Sequence, residues 1–564
     1  MVSTLTLAAV GSVPILVVFL LMVGPRWSAA RAMGVGWVLA TVLGLGIWSM
    51  EPTWWAAAAI YGGLQAFEII LIVFGAILLM NYLEGSGAIA TIRWHFAQIS
   101  GDRRIQVLLI GLGFMTVIEG AAGFGTPGAL AAPLLIGLGF PPLAAAVFGL
   151  FFNALQPPFG AAGTPVIGGT GAVIGDTLPE DVSQGVFLGD ISGWTAVFTG
   201  ITFVFWGLFG IFLLTYWFGN EDERTLSGAF AATLPVAPFA LLLSVLAGAT
   251  QLLVAWVFGP ELPNIAAGFV VMGVGIALAR RGILMPEEAW TFPDRESWTD
   301  TWRGGLGLDE IAGDIPEKRM PVSLAWTPYL LVALVLLVTR WPGLGFDEAL
   351  MAYSIGISSI LGTELGFAIE YLYLPGTMPF IPIAILTGLL HTMDTGEMAR
   401  AWRESVSQTI PAAITLIVAV SLTQVMIQSA TNPVGRIGMM DAMSIVLASS
   451  AGVALPAVAP WIGALGSFVT GSNTSSNILF SVLQHDAAAE VGISRTIVVA
   501  LQNVGGGIGN MVSVLNIVAI CGVVGLTGRE GDMLRKTLVP TVIVTVFVGL
   551  LGLLFAFVLA PGVF

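Results

Sequence analysis

Apolar runs of membrane-crossing length recur along the whole chain, and no other feature constrains its fold so strongly. A helix needs about 20 consecutive apolar residues to cross the hydrocarbon core of a bilayer. About twelve runs meet that need, near 4–23, 31–49, 54–83, 142–175, 192–218, 229–258, 262–280, 325–341, 376–391, 404–433, 494–525 and 538–562. Two more apolar stretches, 105–138 and 443–484, are interrupted in the middle. The segment 342–375 is ambiguous, because it carries Asp347, Glu348, Glu364 and Glu370. Only 10% of the 564 residues are charged, against roughly 25% in soluble domains, and the mean hydropathy is +0.93. These observations imply an all-α polytopic membrane protein in contact with lipid. They exclude soluble-enzyme, nucleic-acid-binding and disordered classes. The lone Cys521 rules out an intramolecular disulfide, and no Cys/His cluster offers a metal site, so no cofactor is expected.

Basic residues mark the cytoplasmic side of membrane proteins. Loop 24–30 and its edge hold Arg26 and Arg31 without an acid, and loop 84–104 holds Arg93, Arg103 and Arg104. Arg280 and Arg281 open the polar loop 281–323, Arg400 and Arg403 precede span 404–433, and Arg529, Arg535 and Lys536 precede the last span. Loop 176–191 has Asp176, Glu180, Asp181 and Asp190 and no basic residue. One threading satisfies all of these: both termini outside, with twelve spans between them. No Lys or Arg precedes Arg26, so the first run lacks the basic start of a cleaved signal and reads as a retained span. Loop 281–323 is too short and too broken by Gly and Pro for a core of its own.

The interrupted stretches recur in a pattern. IEGAAGFGTPG (118–128) is followed by NALQPPFGAAGTP (153–165), and VTGSNTSSN (469–477) is followed by QNVGGGIGNMVS (502–513). Gly125 and Gly160 are 35 residues apart, as are Gly471 and Gly506. Span 54–83 precedes the first pair much as span 404–433 precedes the second, at an offset of about 350 residues. The charge threading runs these two spans in opposite directions, so the copies are inverted. The single membrane domain 1–564 then divides into repeat 1 over 4–175 (hairpin 105–138, broken helix 142–175) and connecting spans over 192–280. After these come a cytoplasmic loop 281–323 and repeat 2 over 325–562 (hairpin 443–484, broken helix 494–525). Inverted repeats with discontinuous helices in matching places point to a secondary transporter and to its midplane site. The plainer reading is that the glycines ease helix packing. Packing glycines, however, recur at four-residue spacing inside intact helices and do not arrive with Pro, Thr, Asn and Ser in one ten-residue break.

Irregular backbone at membrane depth is tolerated only where protein buries it or it lines a watery cavity. The N-termini of half-helices offer N–H groups and partial positive charge to an anion, while freed carbonyls suit a cation or a hydroxyl. The expected substrate site therefore lies between the breaks. The first half contributes Gly123, Gly125, Thr126, Asn153, Gly163 and Thr164. The second half contributes Ser472, Asn473, Thr474, Ser475, Asn503, Gly505, Gly506 and Asn510. Such a site binds a small carboxylate by backbone amides rather than by a lysine. Two acids lie inside apolar sequence, Glu119 at the first break and Glu68 in LQAFEIILIVF. An ionised carboxylate there costs about 2.5–3.5 kcal/mol on the insertion scale, which marks both as candidates for carrying a proton or coupling ion. The alternatives are a cap for freed amides at Glu119 and a structural hydrogen bond at Glu68. His95, His391 and His485 fall near predicted span ends or loops and read as loop residues.

At these breaks the sequence resembles the lactate permease family. The run IEGAAGFGTPGALAAPLLIGLGFPPLAAAVFGLFFNALQPPFGAAGTPV (118–166) is similar to the family's first signature. The run GALGSFVTGSNTSSNILFSVLQ (463–484), continuing to QNVGGGIGNM, is similar to its second. EIILIVFGAILL (68–79) also resembles the family, and the likeness is weakest over 220–325. The resemblance implies uptake of L-lactate, D-lactate and often glycolate with a proton across the cell membrane, with no enzymatic activity. It further implies the re-entrant hairpins, elevator motion and homodimer of a wider ion-transporter superfamily, whose hairpin-tip tripeptide Ser472-Asn473-Thr474 matches. One departure stands out. Where the family reads Gly-Lys-Met-Ile-Ser-Pro-Gln, this chain reads Gly509-Asn510-Met511-Val512-Ser513-Val514-Leu515. Loss of that lysine makes Na⁺ coupling, with another small organic anion as substrate, a rival to H⁺ and lactate. An anion channel is the rival of a different class.

Overall fold

The computed structural model describes residues 3–25, 27–123, 125–304 and 317–564. Arg26, Phe124 and the 305–316 part of the polar loop lie outside them, as does the side chain of Asp176. Eleven helices among the described residues are long and apolar enough to cross a bilayer, or thirteen if each of two bent pairs counts as one span. The expected twelve falls within that range, but the membership differs. Stretch 376–391 forms only a short helix, Gly376–Leu390, whereas Arg103–Ala121 and Met439–Thr470 each reach spanning length. Segment 342–375 does not span. It forms a short helix, Phe346–Met351, and an antiparallel ribbon pairing Ile355–Ile357 with Phe367–Ile369. That ribbon is the one departure from an all-α chain among the described residues.

Two 34-residue helices, Pro52–Gly85 and Thr395–Gln428, pack antiparallel against each other. The first starts with Pro at its first turn, where a missing N–H costs nothing. The second starts with a reciprocal cap, Asp394 accepting from Glu397 N at 2.8 Å while Glu397 accepts from Asp394 N at 3.0 Å. Their contact is polar at intervals. Trp54 Nε1 donates to Gln428 O (3.2 Å), Gln424 Nε2 to Gln65 Oε1 (2.8 Å) and Asn81 Nδ2 to Ser405 Oγ (2.8 Å).

Four elements beside this pair carry the breaks. The first hairpin joins Arg103–Ala121 to Thr126–Gly137, and its legs close again where Arg103 lies against Gly139. The first broken helix joins Pro142–Asn153 to Pro157–Ile174 with a 58° bend. The second hairpin joins Met439–Thr470 to Asn473–Val491, its legs held together by Ser476 Oγ donating to Gly463 O at 2.8 Å. The second broken helix joins Arg495–Val512 to Val514–Val523 with a 42° bend.

The two ends of the bundle are separable by contacts along the single helix Gln184–Phe218. Near its start Phe187 packs on Phe564, which also accepts from Ser494 Oγ at 2.8 Å. Near its end Lys536 lies over the Trp217 ring at 4.9 Å. The same end gathers Arg103, bonded through its N–H to Trp290 O (3.0 Å), and Arg224, stacked over Trp302 at 4.7 Å. Trp290, Phe292, Trp298 and Trp302 are buried against the helices, so the described part of loop 281–323 packs on the bundle instead of forming its own core. Apolar side chains such as Leu16, Val42, Leu334 and Leu550 are more than half exposed on the outer face, as lipid contact requires.

Candidate functional site

The two hairpin turns and the two helix breaks converge on one small cavity of about 40 Å³. Glu119 is the only charged residue among its described lining residues. It sits two residues before the end of the first hairpin's first leg and is 4% exposed. Asn153, the last residue before the bend in the first broken helix, donates its amide to Glu119 Oε2 at 2.8 Å. Behind Asn153 runs a buried chain of amides. Gln156 Nε2 donates to Gly111 O (2.8 Å) and Thr116 Oγ1 (2.9 Å), Asn264 Nδ2 to Gln156 O (2.7 Å), and Gln251 Nε2 to Asn264 Oδ1 (2.7 Å). This chain fixes Asn153, and through it the Glu119 carboxyl.

The break after Gln156 is a run of left-handed backbone. Ala161 (φ 41°, ψ 61°), Ala162 (φ 50°, ψ 49°) and Gly163 (φ 77°, ψ 13°) follow one another. An L-residue there costs roughly 1–2 kcal/mol, so two alanines in sequence hold stored strain of the kind that clusters at functional sites. Thr164 Oγ1 donates back to Ala161 O at 2.5 Å and braces the turn. Gly160 lies directly on the other side of the Glu119 carboxyl, and a Cβ built on it would collide with Glu119 Oε1. Gly163 is packed on Pro260, with room for no side chain.

The second half presents its hairpin turn. Ser472 caps the helix Asn473–Val491 by accepting from Ser475 N at 3.2 Å. Asn503 Oδ1 accepts from both Asn473 Nδ2 (2.9 Å) and Asn477 Nδ2 (2.8 Å), while Asn477 Nδ2 also reaches Pro165 O in the first broken helix at 2.9 Å. Asn473 Oδ1 is buried without a partner. Two helix N-termini, at Gly125–Thr126 and at Ser472–Asn473, thus end at the cavity, where their first amides lack intrahelical partners.

Of the residues expected from the sequence, Glu119, Gly123, Gly125, Asn153, Thr164, Ser472, Asn473, Thr474 and Asn510 line the cavity. Thr126 lines an adjoining vestibule. Gly163, Ser475, Asn503, Gly505 and Gly506 stand just behind the walls. Gly505 packs on Pro460, and Gly506 packs against Asn473. Glu68 lies outside both linings, on the helix Pro52–Gly85, whose next residue Ile69 packs on Gly168. Asn516 is not among the residues expected from the sequence; its amide donates to Asn510 O at 3.3 Å and it lines both spaces. Its signal was a lone Asn in the apolar run VLNIVAICGV. His485 also departs from expectation. It is fully buried in the second hairpin, its Nδ1 bonded to Asp486 at 2.7 Å and its ring edge-on to Phe187.

The vestibule has a volume of about 580 Å³ and shares Gly125, Asn153 and Asn516 with the cavity. It runs along Ile77, Met80 and Asn81 to Glu84 and Arg93.

A bundle of spanning helices around a central polar cavity, with a vestibule leading to one end, defines a multi-pass membrane transporter. The family model described as L-lactate permease matches residues 7–559, and the chain belongs to that family. It is 28% identical to the glycolate permease GlcA of Escherichia coli over 98% of this chain and 96% of that one. It is equally identical to the L-lactate permease of Escherichia coli, with the same coverage, and to that of Bacillus subtilis over 85% of this chain and 83% of that one. The YdaH transporter of Alcanivorax borkumensis aligns over 88% of this chain and 86% of its own, at 13% identity and a TM-score of 0.45. Family membership and the many apolar helices make this a multi-pass protein of the cell membrane.

Proposed function

We propose that the chain takes up L-lactate, with D-lactate and glycolate, by proton symport. One observation carries the reading: a lone carboxyl, Glu119, shares a cavity with two helix N-termini and no basic residue among the described lining. The N-termini receive the substrate carboxylate. Two carboxylates so close resist being ionised together, so the site fills when one proton accompanies the anion. Ser472, Asn473, Thr474 and Asn153 supply donors and acceptors for a 2-hydroxyl. The names of the relatives support this substrate class.

In this reading the chain is two inverted repeats, 4–175 and 325–562, whose hairpins and broken helices carry the site across the membrane as an elevator within a homodimer. The antiparallel packing of the two 34-residue helices supports the inversion, as does the same order of hairpin then broken helix in each half. The arginines of loop 84–104 assign it to the cytoplasm, which makes the vestibule an inward opening. A second reading, Na⁺ symport of another small organic anion, is favoured by Asn510, which stands in the cavity wall where the family's lysine is expected. Uptake of labelled L-lactate into proteoliposomes decides between them. Accumulation driven by an inside-alkaline pH gradient supports proton symport. Accumulation that needs a Na⁺ gradient moves the account to the second reading, and flux that never exceeds equilibration would mean a channel.

A further inference from the structure

We propose that Arg93 is a second anion-binding station, which holds the substrate carboxylate in the vestibule between the cytoplasm and the cavity at Glu119. The inference rests on the reading above, in which the substrate is a small carboxylate and the vestibule opens inward. Arg93 and Glu84 are the only charged residues among the described lining of the vestibule. The other arginines buried beside the helices have partners. Arg104 is paired to Asp102 at 2.7 Å, and Arg340 to Glu261 at 2.9 Å. Arg93 makes no hydrogen bond or ion pair among the described residues, and its Nε is buried without a partner. A guanidinium presents five donors in a fixed fork matched to a carboxylate. One left open on a cavity that leads to a carboxylate site is placed to bind the same ligand.

The position is held firmly. Arg93 lies on the helix Ala88–Ala97, which Gly87 starts in left-handed conformation at φ 79°. Thr91 Oγ1 on that helix accepts from Arg319 N (3.0 Å) and Met320 N (3.2 Å), and His95 Nε2 meets Arg280 at 2.9 Å. Glu84 acts on Arg93 electrostatically from beyond ion-pair distance, supporting its charge against the cost of burial. An arriving carboxylate meets attraction from Arg93 and repulsion from Glu84. The station is therefore loose enough to release its ligand, as a transit site must be. Asn81 and Gln408, bonded at 3.2 Å, line the path between it and the cavity, and Asn516 stands where the two spaces meet.

A two-sided transport assay tests this. L-lactate transport is measured from the outer face in right-side-out membrane vesicles and from the cytoplasmic face in inside-out vesicles. Losing a charge-assisted hydrogen bond corresponds to about tenfold in affinity. Arg93→Gln should therefore raise the cytoplasmic-face KM about tenfold and leave the outer-face KM within about twofold. Glu84→Gln should lower the cytoplasmic-face KM, and this variant carries the test if Arg93→Gln fails to reach the membrane. A structural role for Arg93 would alter both faces alike. Equal effects at both faces, an effect confined to the outer face, or a Glu84→Gln variant with unchanged or raised cytoplasmic KM would each overturn the station. Wild-type vesicles that carry no lactate in either direction would defeat the functional reading as well. Two-way lactate transport by the wild type with symmetrical Arg93→Gln effects would defeat the station alone.

Discussion

Asn153 donates its amide to Glu119 Oε2 over 2.8 Å, tying the bend of the first broken helix to the turn of the first hairpin. Gly160, seven residues further on, presses on the carboxyl from the other side. The acid is therefore clamped between two parts of one broken helix, and anything that moves the break moves the acid.

The first expectation concerns that clamp. Gly160→Ala places a methyl group on Glu119 Oε1 and should cut lactate uptake at least about tenfold, since a small displacement of a site group has effects of this order. Ala162→Gly removes a Cβ from left-handed backbone. The strain it relieves and the chain entropy it adds nearly cancel, so stability should stay within about 1 kcal/mol of wild type. Uptake assays and thermal unfolding in detergent check the pair. Normal uptake by Gly160→Ala would contradict the clamp.

A second expectation concerns the turn of the second hairpin. Asn473→Ala removes the bond to Asn503 and should cost about 1 kcal/mol of stability. Thr474→Ala removes a cavity hydroxyl and should leave stability unchanged. Both should reduce transport with protein levels near normal. Wild-type transport by both, at limiting and saturating lactate, would remove this turn from the site.

Orientation can be read by labelling. In a background lacking Cys521, cysteines at positions 30 and 300 should react only from the cytoplasm and one at 182 only from outside. Reaction of 182 and 300 from one face would break the threading and the inversion with it.

The breaks were visible in the sequence because Gly, Pro, Asn and Ser crowd into short gaps in otherwise apolar runs, as at 118–128 and 469–477. Membrane depth leaves such residues few other uses. Glu119 was visible for the same reason. Asn516 and the chain Gln156–Asn264–Gln251 were not, because a single amide in an apolar helix does not tell which neighbour it faces. That depends on how helices far apart in sequence pack. His485 reads as a loop residue in sequence because hydropathy falls at Gln484–Asp486, yet the helix continues to Val491 and buries the ring against Phe187. Segment 342–375 is ambiguous in sequence because its acids Asp347 and Glu348 belong to a short helix and its apolar residues 355–357 and 367–369 to a short ribbon, forms that span-length reasoning does not consider.

In the proposed cycle Glu119 carries the coupling proton, and Glu119→Gln tests that role most directly. Glutamine keeps the size of the side chain and mimics the protonated acid, but it cannot release a proton. Two activities are measured on the same proteoliposomes: accumulation of labelled L-lactate driven by an inside-alkaline pH gradient, and exchange of internal for external lactate without a gradient. With Glu119 as proton carrier, accumulation is lost while exchange survives, because exchange needs no net proton movement. Full pH-driven accumulation by the variant would contradict the account and shift the coupling role to Glu68 or to Na⁺ at the carbonyls of the breaks.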